Sequence, residues 1–364
     1  MEEDTRDRSE ESTEVDEQKG ISRGTFLKAA AGVAAASSLY GPGKVFADGP
    51  YAFTRANRFT IAIVPKSLQN PVFALANLGG KKRAQELGVN YVFTASAQES
   101  AATDINIIQG LIQRKVSAIG VSCIDPKAYA PVLNHAVDSG IKVMTWDADS
   151  PQSKRAVFYG INSRQIGSKM ARAMNRLTGG KGKIVIVSGD ASALNLNERI
   201  AGARAALAPG IQVVNVLYTN DDIPSAISQT ESAIRAHPDL AGILMVGGWA
   251  LFSNEGATPL LKQHAGKIKV VSFDPIQPVV AYLRDNIAQS VWTQDYWGWG
   301  YQSVTILHGL LMGKKWRKVI PQPSHEVTPA QWQIWQRRWA ASSSGNVNAA
   351  AKVWGEKPFT PPGP

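Results

Sequence analysis

Lys66, Asn70, Ser122, Asp147, Asp149, Asn195, Asn197, Arg199, Asp274 and Gln294 share one sequence setting: each lies at or just past the end of a short apolar run, or in the segment that follows it. "IAIVPKSLQNPVFA" carries Lys66 and Asn70, "AIGVSCI" carries Ser122, and "KVMTWDAD" ends in Asp147 and Asp149. "KIVIVSGD" leads into "ASALNLNER" with Asn195, Asn197 and Arg199; "AGILMVGG" stops at Trp249, "KVVSFD" at Asp274 and "SVWTQD" at Gln294. Carboxylates accept hydrogen bonds, Lys and Arg donate them, and amides and hydroxyls do both. Such a mixed set suits a neutral sugar or polyol, whose every hydroxyl gives and takes a hydrogen bond. Phe73 and Trp249 have two readings, as covers for the apolar C–H face of a sugar ring or as core. Any one of the polar residues also reads as an ordinary turn or cap residue, because loops are polar; their recurrence at strand ends is what carries the argument.

Other chemistries find less support. The chain has no GxSxG or HExxH pattern and no clustered metal ligands, and its five histidines (135, 237, 264, 308 and 325) fall on helical or turn segments. No catalytic residue, metal site or cofactor is expected. Asp147 and Asp274 could still form the carboxylate pair of a glycoside hydrolase, so a secreted carbohydrate-active enzyme is one alternative.

The elements that must position these residues follow from periodicity. Uninterrupted apolar runs read as strands buried on both faces, as in parallel sheets covered by helices. Such runs occur at 60–64, 91–95, 118–122, 142–146, 157–161, 183–188, 213–218, 242–246, 269–273 and 290–293. Between them lie helical patterns such as "AATDINIIQGLIQRK" and "SRQIGSKMARAMNRL". This alternation predicts an α/β fold with right-handed crossovers. Ten strands are near the limit of one twisted sheet, so two doubly wound parallel-sheet lobes are expected. Ligands bind such sheets beyond the carboxyl ends of the strands, where the polar residues sit.

The chain has 364 residues, 44% of them hydrophobic, and a formal net charge of +10. Its single cysteine, Cys123, excludes an internal disulfide and reads as a small buried hydrophobe. Residues 1–47 differ in kind: an acidic, aperiodic start, then "SRGTFLKAAAGVAAASSLYGPGKVFA", with a positive stretch, an Ala-rich run and a "VFA" ending. That is the layout of an export signal cleaved after Ala47. "SRGTFLK" is twin-arginine-like, with Gly24 in place of the second Arg, which leaves the twin-arginine and general secretion routes both open. Setting aside the 6 basic and 9 acidic residues of this leader leaves 33 basic against 20 acidic. The basic residues are scattered, which reads as solvated surface rather than a nucleic-acid footprint.

In these motifs and their order, residues 59–328 resemble a type I periplasmic solute-binding protein of an ABC sugar importer, similar to the ribose-, rhamnose- and autoinducer-binding group. "IAIVPKSLQNPVFA" resembles that family's first strand and turn, placing sugar contacts at Asn70 and Phe73; "VMTWDAD" places a ligand carboxylate at Asp147; "VVSFD" and "SVWTQD" place contacts at Asp274 and Gln294. Lys66 resembles the lysine of the autoinducer-binding branch. Ala148 stands where ribose binders carry Arg, and Asn197, with Arg199 nearby, stands in place of their second-lobe Arg. The resemblance implies lobe 1 from 58–161 plus 295–324, lobe 2 from 162–294 plus 325–340, and an interlobe hinge of three crossings; residues 341–364, low in periodicity and rich in Pro, Gly and small residues, read as an extended, loose tail. It further implies a monomer that is periplasmic or extracytoplasmic and captures a sugar or polyol for the membrane subunits of an ABC importer. "DYWGWGYQ" is expected to pack a helix beneath the hinge, and Trp146 to point away from the side of Asp147. A sugar-responsive transcription regulator shares the fold but needs an N-terminal helix-turn-helix, where residues 1–58 offer an acidic stretch and an Ala-rich run.

Overall fold

β1 (Thr60–Val64) is buried along most of its length and lies inside the first of two sheets, next to its edge strand. The computed structural model describes residues 59–355; the export-signal reading of 1–47 lies outside them. In the first sheet β1 is joined by β2 (Asn90–Phe93), β3 (Ala118–Val121), β4 (Lys142–Trp146), β5 (Val157–Gly160) and β11 (Val319–Pro321), in the order β11-β5-β4-β3-β1-β2. The second sheet runs β12-β10-β9-β8-β6-β7. It contains β6 (Lys181–Ser188), β7 (Gly210–Tyr218), β8 (Leu240–Met245), β9 (Lys269–Phe273), β10 (Ser290–Trp292) and β12 (Glu326–Val327). All pairings are parallel except β10 with β12. Two strands, β11 and β12, were not anticipated. They are only three and two residues long, too short for a hydrophobic period to register.

The helices of the first lobe are α1 (Val72–Leu87), α2 (Ala101–Gln113) and α3 (Pro126–Asp138). Those of the second are α4 (Ser163–Thr178), α5 (Leu194–Ala206), α6 (Ile223–Ala236), the short α7 (Pro259–Gln263) and α8 (Gln277–Arg284). The chain then returns to the first lobe as α9 (Tyr296–Leu311), which packs against α1. Asp125, Asn162 and Asp222 cap α3, α4 and α6 by accepting backbone N–H bonds, which satisfies donors a helix start leaves free.

In each lobe one helix pair is brought to backbone contact by reciprocal glycines. A Cβ on Gly79 would lie 2.2 Å from the Trp297 carbonyl oxygen, and one on Gly300 would lie 1.8 Å from that of Ala76, so α1 and α9 touch backbone to backbone. In the second lobe a Cβ on Gly167 would meet the Arg199 carbonyl oxygen at 2.0 Å, and one on Gly202 that of Arg164 at 1.9 Å. This second pair seats α5, the helix that carries Asn195 and Arg199.

The tail departs from expectation. Rather than an extension beginning at 341, the chain forms α10 (Trp332–Ser343) and α11 (Val347–Trp354). α10 packs on α8 and α11 packs on α1. Trp335 and Trp339 are buried, and Trp354 lies against both. Small and polar residues concealed an ordering supplied by Trp354, which lies 15 and 19 positions from the tryptophans it packs against.

Candidate functional site

The carboxyl ends of the two sheets face each other, and the residues at those ends meet between them. Lys66 follows β1 through Pro65 and is 5% exposed; its Nζ donates to Oδ1 of Asn195, on α5 of the opposite lobe, at 3.4 Å. Burial alone would lower the Lys66 pKa, but the carboxylates of Asp147, Glu99 and Asp221 outweigh burial and the Arg199 charge, so it lies above the usual value. The ammonium is therefore firmly protonated at neutral pH.

Asp147 and Asp274 occupy the same backbone position in the two lobes. Each follows a central strand, β4 or β9, with a left-handed φ of 58° and 62° respectively. Asp147 N–H donates to the Tyr159 carbonyl at 3.0 Å, and Asp274 N–H donates to that of Trp292 at 2.8 Å. A left-handed non-glycine residue costs of order 1–3 kcal/mol and persists where its surroundings fix it. Here the conformation turns each carboxylate off the strand end toward the cleft. Ser122 Oγ donates to Asp147 Oδ2 at 2.8 Å. Asp274 Oδ1 accepts from Gln294 Nε2 at 3.1 Å and from the Tyr296 hydroxyl at 2.9 Å.

Arg199 is 2% exposed. One terminal nitrogen donates to the Val246 carbonyl at 2.8 Å, the other to Gln294 Oε1 at 3.4 Å, and the guanidinium lies 3.9 Å over the Phe273 ring. Its Nε is buried without a partner. Burial lowers its pKa, opposed by Asp274 and Asp147. Burial raises the Asp274 pKa to about 6, against the pull of Arg199, Gln294 and Tyr296.

The match to known proteins decides the family. Residues 61–315 match the periplasmic binding protein domain. The chain belongs to this family. It is 27% identical over 239 residues to the D-ribose/D-allose-binding protein of Pseudomonas aeruginosa, covering 62% of this chain and 73% of that protein. It is likewise 27% identical over 223 residues to the ribose import binding protein of Escherichia coli K12, covering 59% and 72%. Among solved structures, an ABC transporter solute-binding protein from Burkholderia graminis, in complex with D-arabinose, is 33% identical. That match has a TM-score of 0.71 and covers 76% of this chain and 98% of that one.

In this periplasmic binding protein, Lys66, Ser122, Asp147, Asn195, Arg199, Asp274 and Gln294 form one bonded or charge-coupled group across the cleft. Five expected residues are used otherwise. Asn70 Oδ1 accepts from Val72 N–H at 3.3 Å, binding the turn into α1. Phe73 is 3% exposed and packs at 5.6 Å against Trp146 and 5.7 Å against Trp299, within the aromatic core under the cleft. Asp149 belongs to an ion pair with Arg155, whose Nε and terminal nitrogen reach its oxygens at 2.6 and 2.5 Å, and it also accepts from Thr145. The turn at Asp147 sends Asp149 back along its own strand. Asn197 Nδ2 donates to the Ala191 carbonyl at 2.8 Å. Residues 195 and 199 share a helix face, whereas 197 points elsewhere. Trp249 is buried over two strand ends, where Cβ atoms on Gly247 and Gly189 would lie 2.0 and 2.7 Å from its ring, and its Nε1 has no partner.

Three residues at the site escaped the sequence reading. Glu99 follows β2 and Asp221 follows β7, one from each lobe, and their buried carboxyl groups act on each other electrostatically. Burial, then the Asp221 charge, holds Glu99 well above the usual carboxylate range. Asp190 N–H donates to Asp221 Oδ2 at 3.1 Å. Both carboxyls follow strands at or next to the sheet edge, so extending the strand-end rule to every strand would have found them. Tyr296 sits in the stretch expected to pack only beneath the hinge; its ring does so, while its hydroxyl reaches the cleft.

Proposed function

We propose that this protein is exported and captures a sugar or polyol in the interlobe cleft, without turning it over, for the membrane subunits of an ABC importer. The observation that carries the reading is the ring of Lys66, Asp147, Asn195, Arg199, Asp274 and Gln294, which alternates donors and acceptors from both lobes at buried strand ends. A ligand whose hydroxyls both give and take hydrogen bonds matches that alternation. The relatives support the ligand class, being a D-ribose/D-allose binder and a D-arabinose complex. Lobes of 58–161 plus 295–324 and of 162–294 plus 325–340 open and close about their crossings, so that Lys66 and Asn195 separate in the open form. The leader directs export and is removed after Ala47, and the mature chain acts as a monomer with no nucleic-acid partner.

A thermal-shift panel of D-arabinose, D-ribose, D-allose, D-xylose, hexoses, deoxysugars and polyols tests this. A ligand at one hundred times its Kd adds ~2.7 kcal/mol of stability. No shift with any member overturns the sugar reading, and release of reducing sugar from glycosides overturns the claim of binding without turnover.

A further inference from the structure

We propose that the C-terminal helix pair α10–α11 is a clamp that positions Asp274 for the ligand, acting through Trp339 and Tyr296. The inference rests on the reading that Asp274 faces the ligand. Two separate contacts carry it. Trp339 Nε1 donates at 2.6 Å to the carbonyl of Pro275, the residue directly after Asp274. That bond pins the backbone at the exit of the left-handed turn, where Ile276 N–H also donates to the Asp274 carbonyl at 2.7 Å.

The second contact runs through Tyr296, whose hydroxyl donates to Asp274 Oδ1 at 2.9 Å. The Tyr296 ring is fully buried, with Trp299 at 5.3 Å, Trp339 at 6.0 Å and Trp354 at 6.3 Å. Trp354 is fixed in turn, because its Nε1 donates to Ser342 Oγ at 2.6 Å and Arg338 lies over both the Trp335 and Trp354 rings. The pair therefore grips Asp274 from its backbone side and its carboxylate side.

It also joins the lobes. α10 packs on α8 behind the Asp274 turn, whereas α11 packs on α1, where Lys82 Nζ reaches Asn348 Oδ1 at 3.5 Å. A rotation of one lobe against the other thus passes through the segment that orients a cleft carboxylate. A purely structural tail would stabilise the fold without affecting sugar affinity.

Two full-chain variants separate these roles, with D-arabinose as the probe, or whichever sugar of the panel binds. The groups facing Asp274 are Arg199 from α5, Gln294 and Tyr296 from the second crossing, and Asp147 from the opposite lobe. Tyr296→Phe removes one donor to the carboxylate. It is expected to weaken binding about tenfold and to move the acid midpoint of binding upward from that of the unaltered protein. Trp339→Phe leaves the carboxylate's donors in place. It is expected to weaken binding roughly threefold with the midpoint unmoved. An unmoved midpoint in Tyr296→Phe, or variants that lower Tm while leaving affinity intact, overturns the clamp. If no sugar binds the unaltered protein, the ligand reading fails, and the carbon-13 titration of the Asp274 carboxyl, with and without Tyr296→Phe, still decides the clamp. Should Tyr296→Phe not fold, the Trp339→Phe affinity decides it, with unchanged binding the overturning result.

Discussion

The two lobes solve one problem with the same backbone and different surroundings. Asp147 and Asp274 both leave a central strand in the left-handed region, and both tie their N–H to the neighbouring strand. In the first lobe a single short side chain, Ser122, orients the carboxylate. In the second lobe Gln294 and Tyr296 donate to it, Arg199 stands nearby, and the C-terminal helices brace the turn. A parallel sheet sets where a cleft residue emerges, but the elements layered behind it set how strongly that residue is held.

The widest test asks whether the helix seats are equivalent. Gly202→Ala would push a Cβ to within 1.9 Å of the Arg164 carbonyl oxygen, and Gly300→Ala would push one to within 1.8 Å of that of Ala76. Backbone cannot yield as a side-chain tip does, so each variant is expected to lose about 3 kcal/mol or more of stability. Chemical denaturation measures this. Because the second-lobe pair seats Arg199 and Asn195, the Gly202 variant should also lose ligand affinity, whereas retained affinity there would separate the seat from the site.

Next comes the carboxylate pair itself. Asp147→Asn and Asp274→Asn each replace a charged acceptor and are expected to cost ~1.5–3 kcal/mol of binding, or roughly ten- to over a hundredfold in Kd by calorimetry. Both carboxylates are buried here, at 5% and 7% exposure, so the ligand-free Tm should move as well. For Asp274→Asn it should rise, because burial outweighs the Arg199 charge and disfavours the ionised form that the substitution removes.

A pH series sharpens the contrast between a site carboxyl and a scaffold one. Burial raises both Asp274 and Asp104 to about 6. Asp104 lies in the first-lobe scaffold, accepting from Ser96 N–H at 2.7 Å and the Tyr129 hydroxyl at 3.0 Å. A carboxyl whose folded pKa lies above its unfolded value near 3.8 contributes stability that is full below the lower value and is lost as pH rises through about 6. Both groups should therefore favour the folded ligand-free chain as pH falls through that window. Only Asp274 should make sugar affinity fall over the same window, as its charge is neutralised. Asp274→Asn is expected to flatten that part of the binding profile and Asp104→Asn to leave it in place; the reverse result would exchange their roles.

The smallest effects are expected at strand-end residues whose side chains bond locally to the backbone. Asn197→Ala breaks one half-exposed bond to the Ala191 carbonyl. It should cost about 0.5–1 kcal/mol of stability and leave Kd unchanged. Asn70→Ala should behave similarly, since its Oδ1 serves the turn into α1. A tenfold loss of affinity in either variant would return that residue to the site.

Strand positions and the α/β class were legible in the sequence because they depend on local chemistry. A run such as Ile61–Ala62–Ile63–Val64 is apolar on successive residues only if both faces are covered, and polar residues at such ends mark the edge where a crevice forms. That reasoning reached Lys66, Asp147, Asp274 and Gln294, each within a few residues of its strand. Tertiary structure alone decided which neighbours each polar group would meet. Asp149 lies two residues from Asp147 and is bound to Arg155 instead, because a positive φ at Asp147 reverses the chain between them. Glu99 and Asp221 are 122 positions apart, yet the charge of Asp221 acts on Glu99 across the cleft. Residues from 341 on read as loose because their composition is small and aperiodic, yet Trp354 packs against Trp335 and Trp339 and its Nε1 reaches Ser342 Oγ. Periodicity reports whether a residue is covered; what covers it depends on contacts between distant segments, which a local pattern does not encode.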